Sequence, residues 1–62
     1  MIITKNNTLY SVKETDSTWV LIRVLLDAPD LSYKISKKLC PTFGELEEFV
    51  NNNDLKRKKV YN

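Results

Sequence analysis

The segment Thr18–Leu26 constrains the fold of this chain more than any other part of its sequence. Its nine residues are rich in aromatic and β-branched side chains, which favour β-strands. The even positions from Val20 to Leu26 form one unbroken apolar face, whereas the odd positions, including Trp19 and Arg23, form a mixed face. This pattern predicts a central strand of a sheet that packs on one side only.

Further strands are predicted on both sides of this segment. Thr8–Lys13 and Leu31–Leu39 alternate between apolar and polar residues with a period of two, and Ile2–Lys5 is a candidate fourth strand. Asn6-Asn7 favours a turn because asparagine tolerates left-handed backbone angles. The polar run Glu14–Ser17 predicts a hairpin loop.

A helix is predicted after Pro41. Thr42 is a candidate N-cap, and Glu45, three residues later, completes a capping box. Asn51–Asn53 marks the expected end. The predicted fold class is therefore α+β: an antiparallel meander of three strands, or four with Ile2–Lys5, with one C-terminal helix on one face. The predicted core residues are Tyr10, Val12, Val20, Ile22, Val24, Tyr33, Ile35, Phe43, Leu46, Phe49 and Val50.

Charge divides the chain into two parts. Residues 1–53 carry six basic and seven acidic side chains, whereas residues 54–62 carry four basic side chains against Asp54. The sequence thus predicts one nearly neutral domain over 1–53 and a basic C-terminal tail over 54–62. Val60-Tyr61 could form a short extra strand there or stay mobile.

Composition argues against several classes of protein. With no histidine, the chain lacks the usual general base and the commonest metal ligand. Cys40 is the only cysteine, so we expect no internal disulfide, no structural zinc site and a buried or inert thiol. We therefore expect no catalytic residues, metal, cofactor or small-molecule substrate. No signal peptide or membrane span is apparent, and a cytoplasmic location is expected.

The sheet face away from the predicted helix is the candidate binding surface. Lysine, arginine and serine there would suit contacts with phosphates and base edges, and the basic tail would add non-specific attraction. The predicted nucleic-acid contacts are Lys13, Trp19, Arg23, Lys34, Ser36, Lys38, Lys56, Arg57, Lys58 and Lys59. The competing interpretation is that these lysines and serines only keep an exposed face and tail soluble.

The order of these elements resembles a known small fold. The strand segments around Tyr10, Trp19–Val24 and Tyr33–Ile35, followed by a Pro/Thr-initiated helix, are similar to the arm-type DNA-binding domain of phage and transposon tyrosine recombinases. The resemblance covers residues 10–50. It implies a three-stranded sheet packed on a helix, with the sheet entering the DNA major groove.

Two functional hypotheses follow from the sequence, both for a small non-enzymatic module, and the first is narrowly preferred. The first is DNA binding through the exposed sheet face and the tail, which the strand-face chemistry favours. The second is a phage- or mobile-element-type regulatory or inhibitory protein that binds a host protein through Trp19, Leu21 and Leu25 or through its acidic helix. The nearly neutral body favours the second, and a homodimer contact at Trp19 is a further alternative.

Overall fold

A computed structural model describes every residue from Met1 to Asn62 and shows one open sheet with one helix. The sheet has five strands in the order β1-β2-β3-β4-β5. The strands and the helix are β1 (Ile2–Lys5), β2 (Thr8–Glu14), β3 (Thr18–Arg23), β4 (Leu31–Ser36), α1 (Phe43–Asn52) and β5 (Val60–Tyr61). The predicted α+β class is confirmed.

The first four strands form the expected antiparallel meander, and β5 adds a parallel strand beside β4. The turn between β1 and β2 is Asn6-Asn7, where both residues have positive φ angles of 48° and 64°. Two successive positive φ angles suit the right-handed twist of a tight hairpin, so the predicted turn is confirmed. The fourth strand predicted over Ile2–Lys5 is present as β1.

The helix begins where the sequence indicates. The Thr42 hydroxyl accepts a hydrogen bond from the backbone N–H of Glu45 at 3.2 Å, and the Thr42 carbonyl accepts the first helical bond from Leu46. At the other end, the Lys5 ammonium donates to the Asn53 carbonyl at 2.7 Å, which ties β1 to the helix C-terminus. At ten residues, α1 lacks the length and apolar character that a membrane-crossing helix needs.

The side of β3 that faces the core is the opposite of the predicted one. Val20, Ile22 and Val24 were expected in the core, but Val20 and Ile22 lie half-buried on the opposite side of the sheet and Val24 is 61% exposed. The odd residues Trp19 and Leu21 are buried instead, at 3% and 0% exposure. The strand also ends at Arg23, three residues before the predicted end at Leu26.

The hairpin loop before β3 explains this facing. The Thr15 backbone N–H and hydroxyl both donate to the Thr18 carbonyl, at 2.9 and 3.0 Å, which leaves only Asp16 and Ser17 between the two bonded residues. Glu14 therefore pairs with Trp19, and each even residue of β2 stands opposite an odd residue of β3. Directly opposed residues share a face of the sheet, so the odd side of β3 points toward the core.

The core lies between this face of the sheet and α1. The remaining residues predicted for the core are confirmed, although two of them, on the helix, are only half-buried. The buried ones are Tyr10, Val12, Tyr33, Ile35, Leu46 and Val50, and the half-buried ones are Phe43 and Phe49. The prediction omitted Ile3, Trp19, Leu21, Cys40 and Leu55, which are also buried.

Residues 54–62 pack on the rest of the chain. Leu55 is 2% exposed, and the Tyr61 ring packs edge-on against Phe49 with ring centroids 5.2 Å apart. The backbone N–H of Lys34 donates to the Lys59 carbonyl at 2.7 Å, just before Val60 pairs with Lys34. Of the two alternatives for Val60-Tyr61, the structure shows the extra strand.

Candidate functional site

One face of the sheet has no helix over it, and we call it the open face. The strand register assigns its members, because directly opposed residues point to the same side. They are Ile2 and Thr4 of β1, Leu9, Ser11 and Lys13 of β2, Thr18, Val20 and Ile22 of β3, Ser32, Lys34 and Ser36 of β4, and Val60 of β5.

Two rows of residues run across the open face. One row places Lys13, Val20, Lys34 and Val60 side by side on four successive strands. Neighbouring strands are about 4.8 Å apart, so the stems of the two lysines stand roughly 10 Å apart with a valine between them. The row therefore presents one lysine ammonium on each side of an aliphatic centre.

The second row is aliphatic and hydroxylated, with Ile2, Ser11, Ile22 and Ser32 on successive strands. Ile2 is 59% exposed and Ile22 is half-buried. Leu9, on the next row toward the sheet end, is 50% exposed. Exposed aliphatic side chains that adjoin one another are less common on a sheet face than isolated ones, and they often mark a contact surface.

The open face carries positive charge without compensation. None of its strand positions is a carboxylate. The one ion pair of the structure joins Lys37 to Glu14, away from this face, so Lys13 and Lys34 have no acidic partner. An anionic group that approaches the open face meets no fixed negative charge on it.

Trp19 does not belong to this surface, which corrects the predicted site. Its indole N–H donates to the Cys40 carbonyl at 2.7 Å, and its ring packs edge-on against Phe43. The Lys37 ammonium lies over the ring, 4.9 Å from its centroid. Leu21 is also fully buried, so of the predicted protein contact through Trp19, Leu21 and Leu25 only the half-buried Leu25 is accessible. The homodimer contact predicted at Trp19 has no exposed surface.

Arg23 is likewise on the core side of the sheet, opposite Tyr10 and Leu31. The prediction that it shares a face with Lys13, Lys34 and Ser36 is wrong, for the same reason as for Trp19. The structure brings together only Lys13, Lys34 and Ser36 of the predicted strand-face contacts.

Ser36 and Lys38 close the end of β4. The Ser36 hydroxyl accepts a hydrogen bond from the backbone N–H of Lys38 at 3.1 Å, and the Ser36 carbonyl accepts from Leu39 and Cys40. Ser36 is thus half-buried with its hydroxyl oxygen engaged in the turn, whereas Lys38 is exposed beyond the strand. Lys38 extends the positive charge past the edge of the open face.

The basic tail is held near Lys34. Lys56, Arg57, Lys58 and Lys59 are all exposed, and they lie between buried Leu55 and strand β5. The Lys58 ammonium sits over the Tyr61 ring, 5.3 Å from its centroid, on the core side of the sheet. The pairing of β5 with β4 therefore fixes the basic segment at one edge of the sheet.

A cleft of about 540 Å³, which the sequence pattern did not predict, opens at the end of the sheet. It lies between Asn7–Leu9 and the segment 23–28 that follows β3. The one hint was the break at Asp27–Asp30, which predicts a loop but not a concave one.

Three ionisable side chains, Cys40, Tyr10 and Tyr61, have pKa values raised by burial. Burial raises the pKa of the Cys40 thiol, and nearby Glu45 raises it further, so the thiolate nucleophile is disfavoured. Burial also raises the pKa of Tyr10 and Tyr61, with the neighbouring Tyr33 adding to both. No three side chains of the His, Cys, Asp and Glu types come together as a metal site.

Comparison of the chain with protein-family models, with curated proteins and with solved structures finds no match.

Proposed function

We propose that this protein is a non-enzymatic module that binds another protein through the open face of its sheet. The observation that supports this most directly is the group of aliphatic side chains on a face that no element covers: exposed Ile2 and Leu9 with half-buried Ile22. Burial of the exposed parts of Ile2, Leu9 and Ile22 would contribute about 1 kcal/mol each. The three residues together would therefore contribute about 3 kcal/mol to binding.

The charges on the face define the partner's chemistry. Lys13 and Lys34 flank Val20 and lack carboxylates nearby, so a complementary surface has an apolar centre with acidic groups on both sides. Such complementarity raises the association rate and excludes basic partners. The partner that fits is therefore an acidic protein surface with aliphatic residues at its centre.

Site-specific photo-crosslinking tests this proposal. A photoreactive phenylalanine analogue at Ile22 should give a discrete covalent adduct with a second polypeptide in host cells. The same analogue at Glu47, exposed on α1, should give none. Lys34→Glu should weaken the adduct from position 22, since it removes a cation and adds a repelling charge. Equal adducts from both positions would refute the proposal, and an adduct of twice the chain's own mass would indicate a homodimer.

DNA binding is a second candidate, supported by a different observation. The hydrogen bond from Lys34 to the Lys59 carbonyl holds the basic tail at the edge of the sheet that bears Lys34. The tail and the open-face lysines together would neutralise several phosphates. The resemblance to recombinase arm-type domains, and with it an origin in a phage or mobile element, belongs to this candidate.

Fluorescence anisotropy with a labelled mixed-sequence duplex separates the two candidates. DNA binding predicts that affinity falls steeply with salt and that Lys13→Ala and Lys34→Ala each flatten the salt dependence by about one phosphate. Arg23→Ala should have a smaller effect, because Arg23 lies on the other side of the sheet. Absence of binding at low salt would remove this candidate. For either function we propose a cytoplasmic setting, where the Cys40 thiol stays reduced.

A further inference from the structure

The cleft at the end of the sheet is bounded by a strand that outruns its neighbour. The pairing of β2 with β3 ends at Tyr10 and Arg23, although β2 begins two residues earlier at Thr8. Beyond this point the segment 24–28 leaves the sheet and forms the opposite wall. The side of Thr8 and Leu9 that faces away from β1 therefore has no strand paired to it.

The walls of this cleft are mainly aliphatic. Leu9, Val24, Leu25 and Leu26 line it, and Leu26 is 99% exposed. Its volume of about 540 Å³ is within the range of sites that enclose small ligands or a terminal residue of a peptide. An apolar group is thus the expected occupant of most of the space.

Arg23 indicates which charged group the cleft would bind. Arg23 lines the cleft, is half-buried, and makes neither an ion pair nor a side-chain hydrogen bond in the structure. The guanidinium of this half-buried residue has no acidic partner, and its parallel N–H groups match a carboxylate, so it would attract a planar anion. The other charged residue of the cleft, Asp27, is exposed and makes no ion pair with Arg23.

We propose that the cleft binds the C-terminal residue of a partner polypeptide, with an aliphatic side chain against Leu9 and Leu25 and the terminal carboxylate on Arg23. This inference rests on the proposed function of protein binding. A peptide end is favoured over a free acid because its backbone also offers hydrogen bonds to the unpaired side of Thr8–Leu9, in the manner of an added strand. The exposed Asp27 opposes a carboxylate and limits the affinity.

An NMR titration of the ¹⁵N-labelled protein tests the proposal with three probes. They are the peptide acetyl-Ser-Val-Leu with a free carboxylate, the same peptide with a C-terminal amide, and 4-methylpentanoate. The free-carboxylate peptide should shift the amides of residues 7–9 and 23–28. Amidation should weaken binding about tenfold, because the partner of a half-buried charge is lost. The free acid should bind about tenfold more weakly than the peptide.

Variants assign the interaction to individual charges. Arg23→Gln should weaken binding of the free-carboxylate peptide about tenfold, and Arg23→Lys should weaken it less because the charge remains. Asp27→Asn should strengthen binding about two- to threefold, since it removes a repelling charge. A circular dichroism melt of each variant confirms folding, and Asp27→Asn, whose change is a gain, cannot be explained by unfolding.

Three results would overturn the proposal: no shifts in the cleft at millimolar peptide, equal affinity for the amide, or equal affinity for 4-methylpentanoate. The last would assign the cleft to small carboxylic acids. If these peptides fail while position 22 still crosslinks to a protein, only the cleft assignment falls. If the peptide binds the cleft while position 22 does not crosslink, the proposed docking on the open face falls.

Discussion

Replacement of Trp19 by phenylalanine tests the facing of β3, on which the site depends. The indole N–H donates to the Cys40 carbonyl at 2.7 Å inside the core, and phenylalanine cannot supply this donor. A buried carbonyl left without its donor costs about 1–3 kcal/mol. The smaller ring also leaves a cavity beside Phe43, which adds about 1 kcal/mol. We therefore expect Trp19→Phe to lower the free energy of unfolding by about 2–4 kcal/mol.

That loss is large for so small a domain. At about 0.05–0.15 kcal/mol per residue, a chain of 62 residues has a free energy of unfolding of about 3–9 kcal/mol. For domains of this size, 1 kcal/mol shifts the melting temperature by about 4–8 °C. Trp19→Phe should thus lower Tm by on the order of 10–30 °C. If the wild-type free energy of unfolding is near the upper end of this range, the variant still shows a measurable unfolding transition.

Urea denaturation followed by far-ultraviolet circular dichroism measures the change. The matched control is Val20→Thr, the next residue of the same strand, which keeps the shape and β-branching on the open face and should cost less than about 1 kcal/mol. Similar m-values would show that both variants unfold from comparable states. If Trp19→Phe costs less than Val20→Thr, the inferred facing of β3 is wrong.

Three further outcomes are expected. Thr42→Ala should cost about 1 kcal/mol in urea denaturation, because it removes the acceptor for the Glu45 N–H, and an unchanged midpoint would exclude the cap. Leu55→Ala should cost about 2–4 kcal/mol by the same assay, whereas a mobile tail would tolerate it with no change. The folded-state pKa values of Tyr10 and Tyr61 lie above the ordinary 10.0, so their contribution to stability is complete below pH 10 and decreases as pH rises further. Urea midpoints between about pH 9 and pH 11 should fall accordingly, and a flat profile would contradict the burial of these phenols.

Local patterns in the sequence predicted most elements of the fold. Asn6-Asn7 and Thr42 act through interactions within a few residues, so the residue types at these positions indicate the turn and the cap. The strands β2 and β4 alternate cleanly, and their buried sides follow from that alternation. These parts required no knowledge of distant contacts.

The facing of β3 could not be predicted in the same way. Both of its sides are largely apolar, so its own pattern favours the even side only slightly, because of Arg23. The facing is set by the hairpin, where the Thr15–Thr18 bonds place Glu14 opposite Trp19. A loop that held one more residue outside the ladder would reverse the two faces. The predicted site failed at Trp19 and Arg23 because a single residue of register separates the two arrangements.

The remaining parts of the site depend on contacts between distant segments. Lys34 and Lys59 meet through the parallel pairing of β4 and β5, and nothing in a two-residue strand predicts its partner. The cleft likewise exists because β3 ends at Arg23 while β2 continues past it. Both features follow from the ends of strands, which sequence patterns locate least well.

The parallel pairing of β5 with β4 also affects the order of events during synthesis. Antiparallel strands β1 to β4 can pair as soon as each hairpin emerges from the ribosome, since their contacts are close in sequence. The edge of β4 at Lys34 and Ile35 stays unpaired until Val60 and Tyr61 have also emerged. During that interval the nascent chain exposes a strand edge and the site that Leu55 will fill, and these are the surfaces on which a chaperone would act or misassembly would begin.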